Sequence, residues 1–223
     1  MHAPHHTYLK LKRALDVVLS VLLLVVLSPV FAVVAVFSFM FLGRPIFFVQ
    51  ERPGKGGRLF KMYKFRTMAQ CEPENASLSA VEKVATDEQR LNGYGALLRK
   101  TSLDELPELF NILKGDMSFV GPRPLLPEYL ELYSPEQARR HEVRPGLTGL
   151  AQVKGRNALD WSSRFAYDVE YVDKVSWALD LSILVQTFGV VFTHRGVSAE
   201  SCATVEPFRG NKDAETPSAN KLA

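Results

Sequence analysis

From Val17 to Gly43 the chain carries no charged residue over about 27 positions. An apolar run of that length can cross a bilayer core as one helix. It is too long for a signal peptide and closes on bulky Phe39, Met40, Phe41 and Leu42 instead of a small-residue cleavage site, so removal is not expected. Ser28-Pro29 stands near its middle, where proline deletes a backbone hydrogen bond and crowds the preceding turn. Each half is then about 12 residues, roughly 18 Å of helix against a core of about 30 Å, and neither half spans alone. Lys10, Lys12 and Arg13 precede the run, and Arg44, Arg52, Lys55 and Arg58 follow it, so the positive-inside bias does not distinguish the two ends and favours the cytoplasmic side for each. Two arrangements meet these facts: a kinked spanning helix and a re-entrant pair of half-helices. Asp16, at the edge of the run, is expected to pair with Lys12 or Arg13 at the level of the headgroups.

A chain of 223 residues suits one domain with attachments. Its net charge of +3 is too mild to argue for nucleic acid. The basic residues instead gather beside the apolar run, which points to an anionic membrane surface or anionic substrates. Cys71 and Cys202 are far apart and lack CxxC spacing, so neither a disulfide framework nor a zinc site is indicated and a reducing setting fits. Pro45 to Gln50 and Arg58 to Phe65 are strand-like and flank Pro53-Gly54-Lys55-Gly56-Gly57, the pattern of a short β-hairpin. These glycines match neither phosphate-loop nor dinucleotide spacing. Lys64 and Arg66 follow on the face opposite Phe65 if the strand continues. Residues 70–92 are polar and read as a surface excursion without chemistry.

The densest chemistry lies in RKTSLDELPELFNILKGDMSFVGPRP, Arg99 to Pro124. Leu106, Leu109, Phe110 and Leu113 form a helical stripe that stops at Lys114-Gly115. Ser102 can cap this helix, with Glu105 three residues on completing a capping box and Asp104 serving the helix dipole. Pro107 bends or loosens the turn that holds both acids. The other reading is chemical. One acid attacks, the other holds a metal, and Arg99 and Arg123 receive phosphate oxygens, a set suited to phosphoryl transfer.

Further on, Pro127 to Tyr133 suggests a short helix, and Ser134-Pro135-Glu136-Gln137 starts another that ends in Arg139-Arg140-His141, basic residues suited to a last turn. Arg144-Pro145-Gly146-Leu147-Thr148-Gly149 is a rigid loop leading to Gln152, with Arg156 beyond. Arginines on both sides suit a nucleoside diphosphate. Asp168 falls near the apolar face of a helix through Trp161, Phe165 and Val172, and must meet an arginine or a substrate. Trp177 to Phe192 is either a core helix or an interfacial one. From about Thr204 the tail has no burial pattern and is expected to be disordered.

The segments KRALDVVLS, LSPVF, RPIFFVQERPGKGG, FKMYKFRTM, the acid-bearing stretch above, RPGLTGLAQVKGRN and YDVEYVD resemble the small monotopic bacterial polyprenyl-phosphate sugar-1-phosphate transferases, over roughly residues 8 to 200. PLLPEYLELYSPEQARRHEVRPG is most similar to the members that handle N,N′-diacetylbacillosamine phosphate. The resemblance implies an α/β, mostly α, monotopic membrane protein. Residues 1–43 would form a re-entrant hairpin turning at Ser28 and Pro29, residues 44–203 a compact cytoplasmic catalytic domain of short and interfacial helices with a β-hairpin, and 204–223 a tail. It implies transfer of a sugar-1-phosphate from a UDP-sugar to undecaprenyl phosphate with release of UMP, at the cytoplasmic face of the bacterial inner membrane. Asp104 would be the nucleophile and Glu105 the Mg²⁺ ligand. Lys64, Arg99, Arg123, Arg144, Gln152, Arg156 and Asp168 would bind substrate, and downstream glycosyltransferases would take the product. A membrane phosphatase using the same aspartate with water, or a non-enzymatic membrane-docking module, are the rival classes. The latter leaves Asp104 unexplained.

Overall fold

The computed structural model describes residues 4–69, 90–155, 159–193 and 207–211. The architecture is mostly helical, with two small sheets. Helix α1 (Pro4–Val26) is followed after Leu27 by α2 (Ser28–Leu42). The two are bent by 62°, and among the described residues no single helix is long and apolar enough to cross a membrane. The local cause is visible in the hydrogen bonds. Pro29 has no N–H to give the carbonyl of Val25, and the Ser28 hydroxyl donates to that carbonyl instead, at 2.8 Å. Ser28 thus supplies the bond that Pro29 withholds.

One face of this pair is open: Leu15, Val18, Leu22, Val25, Val36 and Met40 are all exposed. The other face is built into the body of the protein. Leu23, Leu24, Leu27 and Phe31 pack on a core that includes Leu109, Ile112, Met117, Tyr171 and Ile183, and Val34 packs with Phe65 and Leu98. Asp16 is buried and accepts the backbone N–H of Phe119 at 3.3 Å, so the expected pairing with its basic neighbours gives way to a longer-range one. Lys12 goes to Asp180. The Arg13 guanidinium donates to the carbonyls of Ile112 and Leu113, at 2.6 and 2.8 Å.

Strands β1 (Phe47–Pro53) and β2 (Leu59–Phe65) pair antiparallel, Phe47 opposite Phe65 and Pro53 opposite Leu59, as the hairpin pattern predicts. Helix α3 (Gly93–Thr101) ends at Ser102, and after a short turn α4 (Glu108–Lys114) closes on Gly115. Strand β3 (Ser118–Val120) pairs parallel with β4 (Gly146–Thr148), which falls inside the stretch read from sequence as a loop. A close approach explains the glycines here. A Cβ on Gly146 would lie 2.1 Å from the Gly121 nitrogen, and one on Gly149 would lie 2.2 Å from its oxygen. The Gly-Pro-Arg-Pro segment therefore rests backbone to backbone against the 144–149 segment.

Helix α5 (Pro135–Ala138) has the capping box the sequence predicts, Ser134 with Gln137. It is short, and Arg139–Glu142 continues as a 3-10 turn. Then come α6 (Leu150–Lys154), α7 (Trp161–Lys174) and α8 (Trp177–Thr193). Helix α8 is core on one side, with Ile183 and Asp180 buried, and open on the other, where Trp177, Leu181, Val185 and Phe188 are exposed. The core reading of that helix holds for its inner face, and the outer face is left apolar and open.

Residues 207–211 differ from the expected disorder, and the rest of the tail lies outside the described residues. Phe208 is buried among Tyr129, Tyr133, Trp161 and Phe165, its N–H donating to the Tyr129 hydroxyl at 3.1 Å. Asn211 donates to the Leu132 carbonyl at 3.3 Å. One aromatic side chain entering an aromatic cluster supplies the burial that composition alone did not reveal.

Candidate active site

The two adjacent acids do not open a helix. Ser102 adopts a left-handed backbone, φ 55° and ψ 20°, as the end of α3, and its side chain makes no cap. Leu103–Glu105 form a single 3-10 turn, Pro107 sits at the N-cap of α4, and Glu108 begins that helix. The capping-box reading fails for a geometric reason: Pro107 and Ser102 split the segment, so the Glu105 side chain does not return to the Ser102 N–H.

It turns toward cations. Glu105 Oε1 receives Lys64 Nζ at 2.7 Å and Arg123 Nη2 at 3.0 Å. Lys64, from β2, also reaches Glu108 at 3.0 Å. Asp104 makes no hydrogen bond or ion pair with any described residue, and it lies within the electrostatic reach of the same cations. Burial, then the adjacent Glu105 carboxylate, push Asp104 up to about 6 against the pull of Lys64, Arg99 and Arg123. Burial also opposes ionisation of Glu105, but Arg123 and Lys64 outweigh it and hold that carboxyl well below its usual range. Glu108 is pushed up, by burial and then by the Glu105 charge. The result is one anchored carboxylate beside one uncommitted and more basic carboxylate.

The other candidates divide. Arg99 is exposed and donates to the Thr67 hydroxyl at 3.0 Å, touching Asp104 only through its charge. Arg144 Nε donates to the Gly115 carbonyl at 2.8 Å, at the end of α4, a structural partnership. Gln152 donates to the Leu147 carbonyl at 3.0 Å and keeps a buried Oε1 without a partner. Arg156 lies outside the described residues. Asp168 meets an arginine: its Oδ2 accepts from Arg140 Nε at 3.0 Å and Nη2 at 2.7 Å, both residues being almost wholly buried.

Arg140 is where the sequence misled. Arg139 behaves as a last-turn residue should, with exposed partners Glu136, Glu142 and Asp173. Arg140, one position on, points inward and donates to Asp168, to the Tyr133 hydroxyl and to the Arg123 carbonyl at 2.7 Å. It therefore fixes the backbone of the residue that clamps Glu105. Glu108 was also missed. It passes for an ordinary first-turn acid, and its only sequence signal was its place one helical turn after Asp104 and Glu105.

Among the described residues no three His, Cys, Asp or Glu side chains are grouped to hold a metal. Asp104 and Glu105 offer two neighbouring carboxylates, with one Glu105 oxygen already taken by Lys64 and Arg123. Such a donor set fits only a small hard cation that keeps waters and binds substrate phosphates.

Comparison with known proteins places these residues in context. The family model described as bacterial sugar transferase matches residues 7–194. A protein of Bacillus subtilis described as an uncharacterized sugar transferase is 45% identical over 206 residues, 92% of this chain and 99% of that one. The UDP-glucose:undecaprenyl-phosphate glucose-1-phosphate transferase of Caulobacter vibrioides is 38% identical over 190 residues, 82% of this chain and 70% of its own length. The UDP-N-acetylgalactosamine-undecaprenyl-phosphate N-acetylgalactosaminephosphotransferase of Aeromonas hydrophila is 34% identical over 199 residues, 86% of this chain and 46% of that protein.

Proposed function

The chain belongs to the bacterial sugar transferase family, and from that premise we propose that it moves a sugar-1-phosphate from a UDP-sugar to undecaprenyl phosphate, releasing UMP. The observation that carries the reading is the free Asp104 carboxylate beside a Glu105 held by Lys64 and Arg123. At pH 7 a carboxyl titrating near 6 is ionised, yet more basic than a surface aspartate, which suits a nucleophile.

Asp104 attacks the sugar-linked phosphorus of the UDP-sugar. The bond from that phosphorus to the bridging oxygen breaks, UMP leaves with the oxygen, and an aspartyl-phosphosugar remains. An oxygen of undecaprenyl phosphate then attacks the same phosphorus, freeing the carboxylate. Lys64 and Arg123 offset charge on the phosphoryl oxygens in both steps, with Arg99 adding charge from the rim. Glu105 would hold Mg²⁺ together with substrate oxygens, and the ion would supply further positive charge there. Relatives are named for glucose and for N-acetylgalactosamine, so membership in the family leaves the sugar open. Likeness of the 124–146 segment to bacillosamine transferases supports UDP-N,N′-diacetylbacillosamine or another UDP-N-acetylhexosamine.

Purified protein with a panel of UDP-sugars tests this. The preferred sugar alone should release about one UMP per chain, with steady turnover only when polyprenyl phosphate is added. Free sugar phosphate as the product would replace the transferase with a phosphatase.

Location at the cytoplasmic face of the inner membrane is part of the same proposal, supported by the open apolar face of the bent α1–α2 pair, the matched basic flanks and the exposed stripe of α8. Lys10→Cys, in a chain whose Cys71 and Cys202 are changed to serine, should resist an impermeant maleimide in intact cells and react after permeabilisation. Replacing Pro29 by leucine as well should let a continuous helix form and bring position 10 outside. Labelling of the variant that keeps Pro29 from outside would leave the kinked spanning helix standing.

A further inference from the structure

Two arginines outside the clamp are poorly matched to the protein around them. Arg52, on β1, keeps a buried Nε with no hydrogen-bond partner. Its other contacts are Gln50 Oε1 at 2.6 Å and, at 3.5 Å, the Pro124 carbonyl. Arg164, in the first turn of α7, keeps both Nε and Nη2 buried without a partner, and its guanidinium lies over the Trp161 ring at 4.8 Å. Buried donors in native proteins are nearly always paired, so three orphaned guanidinium nitrogens call for an acceptor. Both residues also feel the like charge of Arg123, which together with burial disfavours their charged forms.

We infer that Arg52 and Arg164, together with Arg123, form the cradle for the diphosphate of the nucleotide substrate, Arg123 serving the transferred phosphoryl group and the other two the phosphate that departs with UMP. The inference rests on the transferase reading above. A diphosphate brings several acceptor oxygens and a charge that turns the mutual repulsion of the three groups into attraction, and guanidinium forks match such oxygens. Direction of approach separates the nucleotide from the lipid phosphate. The aromatic cluster around Arg164, with Tyr129, Trp161 and Phe208, includes no residue of α1 or α2, whereas the other two clusters both do. Arg164 therefore packs in a cluster separate from the α1–α2 pair, which favours the nucleotide over the lipid phosphate as its ligand.

The test uses full-length protein in detergent, titrated with UDP and with inorganic diphosphate, alongside UMP-release kinetics. Arg164→Gln and Arg52→Gln should each weaken both ligands about tenfold or more, the scale of a lost charge-assisted hydrogen bond. The KM for UDP-sugar should rise while that for polyprenyl phosphate stays within about twofold. Arg164→Lys, which keeps charge but not the fork, should fall between, and it serves if the glutamine variant does not fold. Unchanged diphosphate and UDP binding in folded variants would overturn the cradle. So would a rise confined to the KM for polyprenyl phosphate, which would give the arginines to the lipid. Absence of UMP release from the wild type would sink the transferase reading instead, whatever the titrations give.

Discussion

Asp104→Asn is expected to remove turnover, by about 10⁴-fold or more, the scale of a lost nucleophile. The amide has the shape of the carboxylate but is a poor nucleophile. Folding should be spared, because Asp104 holds no hydrogen bond or ion pair with the described residues, and removing its charge relieves Glu105. Mass spectrometry gives the decisive readout. Incubated with the UDP-sugar alone, the wild type should gain one sugar phosphate, located on Asp104 and released by hydroxylamine as an acyl phosphate would be. The variant should gain nothing at the same melting temperature. An adduct on another residue, or a variant that still turns over, would end the assignment.

The second large effect is expected at Asp168. Its carboxylate is the counter-charge of a buried guanidinium, and removing one partner of such a pair leaves an uncompensated charge that costs about 3–5 kcal/mol. Asp168→Ala should therefore lower the melting temperature by roughly 10 °C. The double change Arg140→Met and Asp168→Leu removes both charges, and buried pairs replaced by apolar groups of similar size are often no less stable. Most of the lost stability should return. Activity should not return with it, since Arg140 also holds the Arg123 carbonyl, and Arg123 would lose the backbone position from which it reaches Glu105. A double variant with wild-type UMP release would show that Arg140 only fills space.

What the residues disclosed in advance was local. Pro29 inside an apolar run, the glycines between β1 and β2, Gly115 after Lys114 and the Ser134-to-Gln137 box all act through the few residues beside them, and each appears where pattern put it. Most of the failures are matters of distant partners. Nothing in the sequence separates Arg139 from Arg140, because the difference is Asp168, 28 positions on. Ser102 has the residue type of a cap, and only the break at Pro107 makes it an ending. Asp16 lies beside Lys12 and Arg13, yet all three are drawn away by groups about a hundred positions or more along the chain. At the site, Asp104, Glu105, Lys64 and Arg123 were legible from resemblance to a family, and their convergence is geometry. Arg52 and Arg164 were not, since an unpartnered donor is visible only when its surroundings are.

Arg13 gives the anchor a second meaning. With its guanidinium on the last carbonyls of α4, the helix that follows the acids, Arg13 ties α1 directly to the acid-bearing segment. Under the membrane location proposed above, the height of Asp104 over the lipid would be set by how deeply α1 rides. Bilayer thickness would then bear on the proposed reaction, at about 1.5 Å for every residue of α1 that sinks or rises.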